Sequence, residues 1–355
     1  MWSPVRGRRS ILVGVVALAA LAVGATPAFG APKPTVTIAA VGDTMLGNTP
    51  TLPAHPGTYL ALVREALRAP ITFGNLEGTL TTATDSKCGS GSSDCFAFRV
   101  PPSYAGYLRK AGFDVLNSAN NHSHDFGAAG VRQTSAALAA HGIAQTGLRG
   151  QIAVVEEGGV RVAFVGFAPY SNVSNLLDLL AAAALIHTAG RRADLVVAYM
   201  HAGAEGASRT HVTGLEEFFL GEDRGNPEAF AHMAVRQGAD LVLASGPHVL
   251  RGMEIYRHHL IAYSLGDFAS FHNFNTDGVL GLSAVLRVTL GPNGWFRDGR
   301  IVSVKLNDEG RPAHDRSGAA ARLIARLSHQ DFGARGVRVL AHGRIVKRNG
   351  AHRSP

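Results

Sequence analysis

The sequence predicts an α/β domain built on two sheets. Three observations carry that expectation. Short apolar runs alternate with segments of helical period between residues 35 and 290. Turns rich in glycine separate them, in a chain with 42 Gly and 16 Pro. Several of the apolar runs end in Asp, Glu, Asn or His. No repeat or linker interrupts the alternation, so a single α/β domain accounts for it.

Each element follows from its own pattern. T-V-T-I-A-A-V-G-D-T-M-L-G (35–47) reads as an apolar strand ending in a Gly-Asp turn. Residues 59–68 have helical spacing, with Leu60, Val63, Ala66 and Leu67 on one side. I-T-F-G-N-L-E-G-T-L (71–80) is a second strand and F-A-F-R-V (96–100) a short one. Residues 104–112 form a helix with a glycine stop. F-D-V-L-N-S-A-N-N-H (113–122) is a strand running into a polar cluster, and 127–141 is helical. Residues 152–156 and 160–166 make a hairpin around Gly158 and Gly159. A helix (176–189), a buried strand ending at His201 (193–201), a helix (226–238) and a strand leading to His248 (239–248) continue the alternation. Residues 252–256 and 259–268 read as a strand pair, 280–290 as an alternating strand and 301–306 as an edge-like strand. Residues 319–329 are a last helix. The domain expectation is a leader over 1–30, the α/β domain over 31–310, and a C-terminal helix with a basic tail over 311–355.

The N-terminus predicts export. Arg6, Arg8 and Arg9 precede a 14-residue apolar core (11–24), and small residues follow. This is the pattern of a signal peptide, with cleavage expected before Ala31. The Arg8–Arg9 pair leaves a twin-arginine route open beside the general one, and an uncleaved anchor also fits. The expected location is extracellular or in the cell envelope. Cys88 and Cys95 flank a Gly/Ser loop, and in an exported chain they read as a local disulfide; a two-cysteine metal site is the alternative. The net charge is +8, of which the leader carries three. The basic residues are dispersed, with some enrichment in the tail and no aromatic-interleaved patch. Nucleic acid is therefore not an expected partner, whereas weak attraction to anionic surface polymers is.

The strand ends carry the chemistry. Asp43 follows the first strand, Asn75 and Glu77 the second, and Asn120, Asn121 and His122 the fourth. His201 ends Y-M-H with Glu205 close behind, and His248 follows A-S-G-P-H. The carboxyl ends of strands in an open α/β sheet line one crevice, so these groups can converge. Mixed Asp, Glu, Asn and His ligation suits Mn²⁺, Fe²⁺, Zn²⁺ or Mg²⁺. Two such ions could clamp a phosphoryl group and activate water. Taken singly, each residue has a plainer role: Asp43 and Asp125 fit turn or helix caps, Glu77 fits a solvated strand end, and His201 fits a satisfied core histidine. Recurrence at several independent strands favours the site.

V-G-D-T-M-L-G, G-N-L-E-G-T-L, N-S-A-N-N-H-S-H-D-F-G, Y-M-H-A-G-A-E, G-A-D-L-V-L-A-S-G-P-H-V-L and I-A-Y-S-L-G-D-F, in that order, resemble the blocks of the bacterial capsule-synthesis, or poly-γ-glutamate-biosynthesis, family. That family is similar to calcineurin-like metallophosphoesterases, which implies a four-layer α/β/β/α sandwich. The resemblance implies metal ligands at Asp43, Glu77, Asn121, His201 and His248, with His122 beside the scissile bond as a proton donor or charge stabiliser. Asp125 is expected to assist His122 or cap the next helix, and Asn75, Asn120 and Glu205 to contact substrate. Met45 and Gly246 stand where the phosphoesterases carry histidine ligands. One metal, a weakly held second metal, or a metal-free pocket therefore all fit. Asp267 stands where the family usually has asparagine. The implied functions are a metal-dependent hydrolase or transferase acting on a phosphoester or polymer linkage, or a non-catalytic factor for an anionic polymer working beside a membrane-bound synthase. N-H-S-H-D-F-G also resembles a signature of secreted 5′-nucleotidases, but only about 65 residues follow Leu290, leaving no separate nucleoside-binding domain.

Overall fold

The computed structural model describes residues 34–88 and 95–347. The leader, its export motifs and the end of the tail lie outside the described residues. The first half of the domain runs β1 (Val36–Met45), α1 (Arg64–Leu67), β2 (Ile71–Leu76), β3 (Thr79–Leu80), β4 (Arg99–Val100), α2 (Tyr104–Ala111), β5 (Val115–Asn117), α3 (Gly127–Ala140) and β6 (Ala144–Thr146). The second half continues with β7 (Ala153–Glu157), β8 (Val160–Phe167), α4 (Leu179–Gly190), β9 (Leu195–His201), the small hairpin β10 (Phe218–Phe219) and β11 (Glu222–Asp223), α5 (Pro227–Arg236), β12 (Leu241–Ser245), β13 (Met253–Tyr256) and β14 (His259–Ala262). The chain then crosses back through β15 (Asp267–Ser270), β16 (Leu282–Leu290), β17 (Phe296–Leu306), β18 (Pro312–His314), α6 (Ala319–Phe332), β19 (Arg338–Val339) and β20 (Arg344–Val346).

Two large sheets result. The first has the order β19-β20-β17-β16-β1-β2-β5-β6, with β15 beside β1 and β18 beside β17. The second has the order β13-β14-β12-β9-β8-β7. Strands β1, β2, β5 and β6 are mutually parallel, as are β8, β9, β12 and β14.

Side-chain alternation along the central strands makes the layers. Ile38 and Ala40 of β1 face Phe164, Val197 and Leu243 of the second sheet, all in one inter-sheet core. Ala39 and Val41 point the other way, onto Leu108 of α2 and Leu138 of α3. Val196, Ala198 and Val242 cover Ile186 of α4 and Phe230 of α5. These strands are apolar on both faces because both faces are covered. Phe73 stacks on Phe164 across the core, with centroids 5.4 Å apart. The fold is thus the four-layer α/β/β/α sandwich that the resemblance implies. Helix α6 sits differently: Leu323, Ile324 and Leu327 join the inter-sheet core and close its side. No described helix is long and apolar enough to cross a membrane.

Several expectations need correction. The helix expected over 59–68 is one 3₁₀ turn (Ala61–Val63) and the single turn α1, with another 3₁₀ turn (Pro56–Thr58) just before them. The carbonyls of Thr58 and Tyr59, which a helix would use internally, accept instead from the Arg311 guanidinium. The second strand stops at Leu76, because Gly78 turns at φ +144° and sends Thr79–Leu80 to pair with β4. The strand pair over 252–268 ends at Ala262; Asp267–Ser270 crosses to the first sheet and pairs with β1. Residues 301–306 are not an edge, since β17 pairs with β16, β18 and β20. The expected disulfide between Cys88 and Cys95 is present.

A candidate metal centre at the strand ends

Register brings the site together. Asp267, Asp43, Asn75 and Asn117 lie opposite one another across β15, β1, β2 and β5. His201 and Ser245 lie opposite one another across β9 and β12. Except for Asp267, which begins β15, these polar residues sit at or near the carboxyl ends of parallel strands in both sheets, and all are buried.

Asp43 is the hub. Its Oδ1 accepts from Asn75 Nδ2 at 2.7 Å and from the Ser245 hydroxyl, and its Oδ2 accepts from Gly246 N at 3.2 Å. Two groups of potential ligands share it: Asp43, Glu77 and His201, and Asp43, His248 and Asp267. His201 Nδ1 lies 3.8 Å from Asp43 and 3.6 Å from Glu77. His248 Nδ1 lies 2.8 Å from Asp267 and 3.3 Å from Asp43.

The electrostatics agree with a cation-binding role. Burial alone would raise the Asp43 carboxyl, but His248, His201 and Ser245 hold it at about 2. Glu77 is pushed well above its usual range by burial and by Asp43. Burial drives His201 well below its usual value, towards the neutral imidazole that ligates metals. Burial also opposes charge on His248, yet Asp267 and Asp43 together raise it well above its usual value. Asp267 is pushed up to about 6 by burial, against the pull of His248. Burial thus disfavours the charged forms of both Glu77 and His201; a divalent cation beside them would favour the ionised carboxylate and keep the imidazole neutral.

Unsatisfied atoms mark the same place. Both ring nitrogens of His201, Glu77 Oε1, Asn121 Oδ1 and Asp267 Oδ2 are buried without a hydrogen-bond partner. Buried polar atoms are rarely left so, and a bound ion is one of the few explanations. The donor set and these orphaned atoms therefore fit a divalent metal held by Asp43, Glu77 and His201.

The other expected residues fall into three places. His122 Nδ1 lies 2.8 Å from Asp125 Oδ2, and its Nε2 turns towards Glu77 Oε1 at 4.0 Å. Asp125 also accepts from Phe98 N and pairs with Lys87. It orients His122 and does not cap α3, which has no side-chain cap. Asn75 and Asn120, expected at the substrate, are buried, and their amides hold the loop: Asn75 Oδ1 takes Nδ2 of Asn117 and Asn120, while Asn120 Oδ1 takes His122 N. Glu205 binds Arg224 at 2.7 Å and lies 3.6 Å from His248 Nε2. Sequence reasoning missed Asp267, Ser245 and Asn117. For Asp267 a signal existed, since it too ends an apolar run, but its pairing with β1 was not visible.

Gly246 explains its own departure from the phosphoesterase pattern. Its φ is +114°, and a Cβ there would lie 3.3 Å from the His201 ring and 3.1 Å from Ala202 N. A second imidazole cannot be placed from this position without moving His201. Gly246→Ala is expected to destabilise the protein by about 1–3 kcal/mol, read from urea denaturation with and without metal.

The described chain is therefore a two-sheet sandwich with a metal-type carboxylate–imidazole centre at its strand ends. The profile described as "Bacterial capsule synthesis protein PGA_cap" matches residues 37–272, and the chain belongs to that family. The capsule biosynthesis protein CapA of Bacillus anthracis is 31% identical over 181 residues, covering 45% of this chain and 41% of that one. The PGA biosynthesis protein CapA of Bacillus subtilis is 29% identical over 178 residues, covering 45% and 43%. The matches thus span less than half the length of these two relatives. Among solved structures, a 5′-nucleotidase precursor from Thermus thermophilus aligns over 83% of this chain and 59% of its own, at 12% identity and a TM-score of 0.42.

Proposed function

We propose that this protein is an exported, metal-dependent hydrolase or transferase of cell-surface polymer synthesis, acting on a phosphoester or polymer linkage at the Asp43 centre. The observation that carries the reading is the buried His201 imidazole, with both nitrogens unpartnered beside Asp43 and Glu77. A divalent ion held there would polarise an anionic oxygen and lower the pKa of a bound water. The chain's own residues do the rest. Asp43 and Glu77 supply the charge that retains the ion. Asn75 holds both carboxylates in place through its Nδ2. His122, with Nδ1 on Asp125, keeps Nε2 free to give or take a proton at the reacting oxygen. Phe98 covers one face of that ring, at 4.4 Å between centroids, and limits water there.

The test is metal analysis of the exported protein together with a panel of phosphomonoesters and phosphodiesters. Bound metal and turnover that His122→Ala abolishes would support the reading, whereas no metal and no turnover would sink it. Asp125→Asn is expected to lower kcat about 10²-fold or more with little change in KM, because the tautomer of His122 is set by that carboxylate; a pH–rate profile reads the change.

A second reading, a non-catalytic factor that binds an anionic polymer beside a membrane-bound synthase, is favoured by Gly246, which removes one imidazole from the phosphoesterase set. Metal bound through Asp43 and His248 without turnover on any ester would select it.

A further inference from the structure

Charge is divided unevenly along the chain. Residues 31–290 hold 18 Lys and Arg against 21 Asp and Glu, whereas residues 291–355 hold 13 against 5. The described part of this basic segment forms β17, β18, α6, β19 and β20. All of it lies beyond the residues that the family profile matches. The described residues of this module, 291–347, hold 11 Lys and Arg against 5 Asp and Glu.

That module contains a cavity of about 610 Å³. Strand β17 pairs with β20 through Gly299 and Arg300, and with β18 through residues 304–306. Residues 301–303 are left between the two partner strands, and the cavity lies there against α6. Arg300, Arg316 and Arg322 line it, with His314 and His342.

The register sets Arg300 directly between Arg287 of β16 and Arg344 of β20. Like charges opposite one another weaken a sheet. Arg287 turns away to the carbonyls of Ala66 and Arg68, and Arg344 turns to Asp298. Arg300 and Arg316 are left without an ion pair among the described residues. Asp315 is the single carboxylate of the lining, and it is committed to Ser317 and to Ala319 N at the start of α6. Beside Ser303, Ser317 and two glycines, the rest of the lining is aliphatic, including Ala325, Val339 and Leu340.

We propose that this cavity is a second binding site, for a flexible polycarboxylate chain whose charges are spaced by aliphatic segments. Guanidinium forks match carboxylates two hydrogen bonds at a time. Ala325, Val339 and Leu340 would take the methylene spacers between them. The cationic groups converge on a concavity, which admits a chain and excludes the plane of a bilayer. Polyphosphate satisfies the arginines and leaves the aliphatic surface uncovered. The site would hold polymer on the enzyme while the Asp43 centre acts elsewhere along it.

Calorimetric titration of poly-γ-glutamate into the full chain tests this. The triple variant Arg300→Gln, Arg316→Gln and Arg322→Gln is compared with a matched triple on a different surface, Arg64→Gln, Arg68→Gln and Lys110→Gln. The first is expected to weaken binding about tenfold, a change of about 1.4 kcal/mol; the second is expected to leave it nearly unchanged. Arg316→Gln alone, at an exposed side chain, is expected to weaken it about threefold with an unaltered melting temperature. Polyphosphate of equal charge and phosphatidylglycerol vesicles are expected to bind more weakly than the polymer. Equal weakening by both triples, no weakening by the first, or vesicles or polyphosphate binding as tightly as poly-γ-glutamate would each overturn the proposal. Asp43→Ala is expected to retain polymer binding, which separates failure of this site from failure of the metal centre.

Discussion

Replacing Asp43 with alanine is expected to abolish tight divalent-metal binding and any turnover that depends on it. Asp43 belongs to both groups of potential ligands, so a single substitution removes a donor from each. It is also 1% exposed, and no neighbouring side chain can move in from solvent to replace it. A metal that binds only the folded chain stabilises it by about 4 kcal/mol at a thousandfold excess over Kd. For a domain of this size that is a rise of roughly 6 °C in melting temperature. The unsubstituted protein is expected to show such a rise with Mn²⁺ or Zn²⁺ and to lose it on chelation. Asp43→Ala is expected to show none. Without metal, the substitution deprives Asn75, Ser245 and Gly246 of their acceptor, while it relieves the repulsion on Glu77. These effects oppose each other, so the lost metal response dominates the result. An undiminished metal-induced shift in Asp43→Ala would remove Asp43 from the ligand set.

Glu217→Ala is expected to destabilise the protein by about 3–5 kcal/mol, because it strands a buried guanidinium. Arg251 is 0% exposed. Its two terminal nitrogens reach both oxygens of Glu217, at 2.8 and 2.7 Å, and Nε donates to the Arg209 carbonyl. Glu217 also accepts from Ala204 N. The pair therefore ties down the loop after β9, including Glu205 beside His248. A double variant, Glu217→Leu with Arg251→Met, is expected to be more stable than Glu217→Ala, since no unpaired charge remains. Chemical denaturation reads both, and hydrogen exchange across residues 202–217 reads the loop. A loss below about 1 kcal/mol in Glu217→Ala would mean that water reaches Arg251 and that the pair is weaker than its burial implies.

Much of the architecture was legible in the residues. The apolar runs at 38–41, 195–200 and 241–244 are uninterrupted because both faces of those strands are covered, and such runs announce buried parallel strands. Their abrupt polar ends announced Asp43, Glu77, His201 and His248. Short elements were not legible: β6, β18, β19 and β20 have two or three residues each, too few for a period to show. Asp267 stands out in the sequence only as a departure from the family's usual asparagine. Its partner in space is Asp43, 224 positions earlier, and no local pattern reports a parallel pairing over that distance.

The division between chain and fold has a physical basis. Periodicity and strand-end polarity are properties of neighbouring residues, and they announced the α/β class, the order of the elements and most members of the metal centre. Register, crossing and crowding depend on residues far apart in the chain. Pairing of β15 with β1 set Asp267 against Asp43 and His248. The left-handed backbone at Gly246 made a second imidazole sterically incompatible with His201. The packing of α6 against β17, between its partners β18 and β20, brought Arg300, Arg316 and Arg322 to one cavity, although they are dispersed in sequence.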